Sequence, residues 1–213
     1  MIKKTTYLFA FVLISIQCMT AQSNSQAEKI LTDLLITAKS SAIKTNFKLT
    51  VTEKNNPQSM ASTGTFTLKG AKFVLNMPQM KVWFDGKTQW AYSENNNEVS
   101  ITEPTEKELS ETNPMAIISG FKSKCNIRFS NKTKSTQNHV IEMIPKIKNN
   151  DIIKLEVEIN KSTSNLFSIK MSYQNGNISV LTLSNFEKGL KVSDNIFIFN
   201  EEKYKGISVN DLR

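Results

Sequence analysis

The chain has 213 residues, 39% of them hydrophobic, and a formal charge of +8 from 27 basic and 19 acidic side chains. This is enough material for one domain with a substantial core, and the lysines are scattered, which excludes the dense basic patch that nucleic acid requires. The two cysteines are Cys18 and Cys125; only Cys125 lies beyond the leader described next, which excludes a disulfide framework.

Residues 1–21 read as a signal peptide. Lys3 and Lys4 form a basic start, Tyr7 to Ile16 an apolar run, and Met19-Thr20-Ala21 a cleavage site before Gln22. The apolar run is too short to span a bilayer. Cys18 offers a rival reading as an acylation site, but Gln17 stands where a small residue normally precedes such a cysteine. Loss of Lys3 and Lys4 lowers the charge from +8 to +6. That surplus serves ordinary solubility or mild attraction to anionic lipid head groups. Residues 22–213 then form a single exported domain, for which the periplasm is the expected location.

Ser25-Gln26-Ala27-Glu28 fits a capping box, and Ala27, Ile30, Leu31, Leu34, Leu35 and Ala38 follow helical spacing. The period then changes to two. Phe47, Leu49 and Val51 alternate with polar neighbours, as do Phe66 and Leu68, and Phe73, Leu75 and Met77. Asp85-Gly86 is a strong hairpin signal, and Trp90 and Tyr92 leave it on one side of a strand. Val99 and Ile101, Ile127 and Phe129, Leu155 to Ile159, and Phe167 to Tyr173 continue the series. Lys54 to Pro57, Lys69-Gly70, Asn149-Asn150-Asp151 and Asn175-Gly176-Asn177 supply further turns. Strands at hairpin spacing with one wet face predict an antiparallel sheet. One segment interrupts them: Asn113-Pro114 reads as a helix start, Met115 to Ile118 as an apolar turn or two, and Gly120 as a helix stop.

Catalytic signatures do not emerge. His139 stands without a second ligand or base at useful spacing, and Glu106 and Glu108 read as a solvated turn. No nucleophile elbow, HExxH, P-loop or glycine-rich dinucleotide turn occurs in the sequence. The expectation is a binding protein, with no cofactor, metal site or enzymatic activity.

The order of features resembles the outer-membrane lipoprotein carrier protein LolA family. The residues that carry it are the helix from Ser25, the strand Gly64-Thr65-Phe66-Thr67-Leu68, the run Asp85-Gly86-Lys87-Thr88-Gln89-Trp90-Ala91-Tyr92, Asn113-Pro114-Met115, and the tail with Phe197-Ile198-Phe199 and Gly206 to Arg213. One departure is Lys69-Gly70-Ala71, where the family commonly has Lys-Arg-Pro. The resemblance implies a mainly β (α+β) fold, an incomplete, strongly curved antiparallel β-barrel with helices over its concave apolar face. It implies a carrier for triacylated lipoproteins, loaded by an inner-membrane lipoprotein-releasing ABC transporter and delivering to an outer-membrane acceptor, and acting as a monomer. The alternatives are a periplasmic lipid- or lipoprotein-sensing module on the same fold, or a fully packed structural domain.

A carrier needs an apolar hollow that its own side chains do not fill, with aromatics for area and methionines that conform to mobile chains. Phe66, Leu68, Phe73, Leu75, Met77, Trp90, Tyr92, Phe129, Met143, Ile169 and Met171 are the expected lining, and Met80 is a further methionine candidate. Met115, Ile117 and Ile118 are the expected lid. Taken singly each of these residues reads more readily as core, since any such fold needs a packed interior; only as an ensemble do they point to a cavity.

Overall fold

Successive side chains of a strand point to opposite faces, so a period-two apolar series commits one face of a sheet to the interior. The computed structural model describes residues 24–147 and 151–213. A helix over residues 24–40 (α1) leads into β1 (Ile43–Glu53), β2 (Asn56–Lys69), β3 (Lys72–Met77), β4 (Met80–Phe84), β5 (Gln89–Ser93) and β6 (Glu98–Thr102). Two short helices follow, α2 (Glu106–Thr112) and α3 (Pro114–Lys122). Then come β7 (Cys125–Phe129), β8 (Asn138–Pro145), β9 (Ile152–Asn160), β10 (Leu166–Tyr173) and β11 (Ile178–Lys188). Two 3-10 turns, Asp194–Phe197 and Glu201–Lys203, precede β12 (Ser208–Asp211). The predicted signal peptide and the Asn149-Asn150 part of a predicted turn lie outside the described residues.

The strands form one 12-stranded sheet in the order β12-β6-β5-β4-β3-β2-β1-β11-β10-β9-β8-β7. The mainly β class is as expected. Neighbours are antiparallel except β12, which lies parallel to β6. The edge strands β12 and β7 do not pair with each other, so the sheet is not closed into a barrel.

Register gathers the apolar series into rows on one face. Ile127, Met143, Leu155 and Met171 are successive partners across β7 to β10. Phe129, Ile141, Val157, Ile169 and Leu181 make the next row. Further along, Ile43, Leu68, Phe73 and Phe84 align across β1 to β4, and the Phe73 ring lies 5.5 Å from Phe66 and 5.4 Å from Phe84. These residues belong to, or pack against, one buried cluster shared with Ala27, Leu31, Leu34 and Ala38 of α1 and Ile117 and Ile118 of α3. Each fully buried Leu, Ile or Phe contributes about 1.5–3 kcal/mol, and the spacing within α1 is that of one helix face.

The reverse face of β7 to β10 carries charge. Arg128 pairs with Glu142 at 2.9 Å, while Glu156 meets Lys154 at 3.0 Å and Lys170 at 3.8 Å. Burial pushes Glu156 up, but hydrogen bonds from Lys154 and Thr133 and both lysine charges outweigh it and hold the carboxyl below its ordinary range.

Four local readings are corrected. Residue 24 is already helical, so Ser25 lies inside α1 rather than capping it. Glu106 and Glu108 form the first turn of α2, not a solvated turn: the Thr105 N–H donates to Glu108 Oε2 at 2.7 Å and the Glu108 N–H to Thr105 Oγ1 at 3.4 Å. The register shifts at Phe167, which is exposed, and Leu166 takes the buried place instead. Helix α3 runs through Gly120 to Lys122 and is capped at Ser123.

Gly64 faces Phe47 across the β1–β2 pair. A Cβ at residue 64 would collide with the Asn76 carbonyl oxygen and stand 2.7 Å from a Phe47 ring carbon. Gly64→Ala should therefore cost about 1–3 kcal/mol of stability, read as a lowered melting temperature. Unchanged melting would mean that β2 and β3 part locally without penalty.

Candidate functional site

A cavity of about 1170 Å³ lies against the apolar face of the sheet. Phe47 and Leu49 of β1, Phe66 of β2, Leu75 and Met77 of β3, Met171 and Tyr173 of β10, and Leu181 and Leu183 of β11 line it from the sheet. Thr112, Pro114, Ile117 and Phe121 line it from α2 and α3, and Ile152 from β9. Its exposed rim consists of Met80, Thr105, Glu106, Lys107, Gly120, Lys124 and Asp151. Ordinary small-molecule pockets occupy roughly 300–1,000 Å³, so this hollow lies beyond that range. Apolar walls behind a mixed-charge rim suit an amphiphile, with its tail inside and its polar end in water.

Local sequence places the α2–α3 corner. Asn113 ends α2 by donating its N–H to Leu109 O at 2.9 Å, and its Oδ1 accepts from the N–H groups of Met115 and Ala116. Pro114 then occupies a first-turn position where no N–H is missed. From there Pro114, Ile117, Phe121 and Lys124 recur at near-helical spacing along the cavity side. The next residue after Ile117 turns elsewhere: Ile118 is wholly buried in the main cluster. Lys122 Nζ donates to Thr32 Oγ1 at 2.6 Å, tying α3 to α1.

Among the expected lining residues, Phe66, Leu75, Met77 and Met171 meet at the cavity. Leu68, Phe73, Met143 and Ile169 lie in the buried cluster and do not border the hollow. Phe129 packs against that cluster, its ring 5.7 Å from His139. Burial and the charge of Lys161 lower the His139 pKa. Of the expected lid, Ile117 borders the cavity, while Met115 is half-buried against the core. Phe47, Leu49, Leu181 and Leu183 were missed as lining. Their alternation was visible in Phe47-Lys48-Leu49 and in Leu181-Thr182-Leu183, but it carries no mark of which inward residues border a void.

Trp90 and Tyr92 lie on the opposite face. Ala91 is the partner of Val82, which belongs to the main cluster, so Trp90 opposite Trp83 and Tyr92 opposite Lys81 must point the other way. There they join Val74, Trp83 and Phe197 in a second cluster with Val192, Phe199 and Tyr204. Tyr204 lies 4.6 Å from Tyr92 and Phe199 5.2 Å from Trp83, ring to ring. Lys81 Nζ stands 4.8 Å from the Trp83 ring. The segment after β11 is held over this face by Asp194, which pairs with Lys69 and Lys72 at 2.7 Å each. Hydrogen bonds from those two lysines draw the Asp194 carboxyl down to about 2. Asn97 Nδ2 donates to Gly206 O at 2.9 Å, just before β12.

Among the described residues, no helix is long and apolar enough to cross a membrane, and no group of His, Cys, Asp and Glu could hold a metal ion. Cys125 is buried, which raises its thiol pKa.

The family profile described as outer membrane lipoprotein carrier protein LolA matches residues 17–177. No curated protein matches the sequence. Among solved structures, the fold is similar to an uncharacterized conserved protein from Thermus thermophilus, with a TM-score of 0.56 and 9% identity over 85% of this chain and 96% of that one. It is also similar to a DUF1329 family protein from Desulfovibrio piger, with a TM-score of 0.50 and 9% identity over 86% and 99% of the two chains. A LolA superfamily protein from Nitrosomonas europaea matches with a TM-score of 0.44 and 12% identity over 81% and 97%. For the first two, at these identities, the likeness is one of fold.

Trp83→Ala removes the centre of the outer aromatic cluster and should cost about 3–5 kcal/mol, with dye uptake per folded molecule unchanged. Reduced uptake would instead connect that cluster to the cavity. For Asp194, the folded pKa lies below the ordinary 3.8, so its contribution is complete above that value and fades as the pH falls toward 2. A carboxyl titration by NMR should give a midpoint near 2, moving up when Lys69 and Lys72 are both replaced by Ala.

Proposed function

Because the chain belongs to the outer-membrane lipoprotein carrier protein LolA family, we propose that it shields lipoprotein acyl chains and carries them across the periplasm. The observation that supports this reading most is the cavity of about 1170 Å³, walled by Phe47, Phe66, Leu75, Met171, Leu181 and Leu183. Each methylene moved out of water is worth about 0.8 kcal/mol, so a long acyl chain enters water only at a cost of about ten kcal/mol or more. A lipoprotein with several such chains crosses an aqueous compartment only under cover. Met77 and Met171 in the wall, with Met80 at the rim, offer flexible thioether surfaces to mobile chains.

Helices α1 and α3 act as the cover of the apolar face, and α3 is the part that moves. Its nine residues are too few for a stable isolated helix, so packing is what orders it, and a cargo chain can replace Ile117 contacts at modest cost. On this reading the cargo is a triacylated lipoprotein. An inner-membrane lipoprotein-releasing ABC transporter loads the carrier, and an outer-membrane acceptor unloads it. The protein works as a monomer by binding, not by catalysis.

Purification from its native periplasm followed by mass spectrometry of what is bound tests the reading, and triacylated lipoproteins are the expected find. Free lipid alone would mark a lipid-sensing module, and an empty protein that also takes up no apolar dye would end the carrier reading. Two substitutions test the cover. Ile118→Glu should cost about 3 kcal/mol or more, because it buries a charge without a partner. Ile117→Glu should also lower stability, since Ile117 is buried, but by less because it borders the cavity. Its folded fraction should release lipoprotein from the inner membrane severalfold more slowly; release per folded molecule at the wild-type rate would remove α3 from cargo contact.

A further inference from the structure

Of the seven glycines, five stand at positive φ: Gly70, Gly86, Gly176, Gly189 and Gly206. Backbone geometry demands glycine there. Gly64 is required by crowding, since Phe47 and the Asn76 carbonyl leave no space for a Cβ. Gly120 has neither reason. It lies within α3, two residues before its end and not at positive φ, and apart from its chain neighbours and the helix's own backbone no heavy atom stands within 4 Å of where its Cβ would be. A glycine inside a helix is a net loss relative to alanine, and neither backbone nor packing requires this one.

Its position supplies a reason. Gly120 both lines the cavity and is exposed, which puts it on the rim, at the edge of the stripe formed by Pro114, Ile117 and Phe121. Among the rim residues Met80, Thr105, Glu106, Lys107, Gly120, Lys124 and Asp151, only Gly120 has no side chain. A side chain at residue 120 would stand at that opening, beside the stripe of Pro114, Ile117 and Phe121.

We infer that Gly120 is the aperture residue of the cavity: the side chain it lacks leaves room for an amphiphile bearing several acyl chains to enter as a bundle. Selection at this point is by the number of chains, not by the head group. The inference rests on the carrier reading, and the experiment separates the two.

Wild-type protein and the Gly120→Ala, Gly120→Leu and Gly120→Met variants are compared by displacement of an apolar fluorescent dye. The competitors are palmitate, with one chain, and a synthetic triacylated lipopeptide, with three. In the Leu and Met variants the lipopeptide should weaken by about tenfold or more while palmitate stays within about twofold. Gly120→Ala should melt about 2 °C higher, from improved helix propensity with no clash. Methionine, flexible and a good helix former, carries the comparison should the leucine variant melt early. Lipopeptide binding within about twofold of wild type in both bulky variants would overturn the aperture and leave the carrier reading standing. Equal loss of both ligands would also overturn it, because the side chain would then close the cavity instead of sorting ligands. A wild-type protein that takes up neither competitor would overturn both readings.

Discussion

Everything in this fold depends on parity passed from strand to strand. Once Phe73 points inward, its partner Phe84 must do so, and Gln89 opposite Phe84 follows. Trp90, one residue later, is thereby sent to the far face. A shift by one residue in the β4–β5 pair would exchange Ala91 for two aromatic rings and fill space near the hollow. The register of that hairpin therefore sets two things at once: an inner face with unfilled volume, and an outer face oily enough to need covering. The chain meets the second demand with the segment carrying Phe197, Phe199 and Tyr204.

The apolar face is not uniform. Toward β7 to β10, Ile141, Met143, Leu155, Val157 and Ile169 have no exposed surface. Toward β1, β3 and β11, the corresponding rows reach the cavity through Leu49, Leu75 and Leu181, which are only half-buried. Close packing resists deformation, so the filled half fixes the shape of the sheet while the hollow half keeps unfilled space. The cost of an unfilled interior falls on residues that give up contacts, and the dense half offsets it. Charge on the reverse of β8 and β9 reinforces this division, since Glu142 and Glu156 are cross-strand partners with cations at both sides.

How far the sequence could be read follows the same physics. Short alternating series located β1, β3, β6, β7 and β9, because period two is a local property of each strand. Asn113-Pro114 located the start of α3 for an equally local reason. The α2 start was present as Thr105-Glu106-Lys107-Glu108, a capping box that two adjacent acids made look like a solvated turn. Relative faces were not legible: nothing local states whether Trp90 shares a side with Phe73, which depends on how residues are counted through β4. The boundary between core and cavity was illegible for a different reason. Met143 and Met171 close similar short series, Ile141-Glu142-Met143 and Ile169-Lys170-Met171, yet one is enclosed and the other borders space, and that distinction belongs to the whole assembly.

Strand β12 alone runs parallel to its neighbour, and its partner β6 lies about a hundred residues earlier in the chain. Parallel pairing over such a distance forms late, because loop-closure entropy precedes any reward from contacts. Until Ser208 to Asp211 dock, the outer edge of β6 presents unpaired N–H and C=O groups, a template for other chains. Every cavity-lining residue stands earlier than β12, so the walls of the hollow can form before that edge is sealed. The last strand thus acts as a stopper: its docking ends the interval in which the open edge of β6 can pair with other chains.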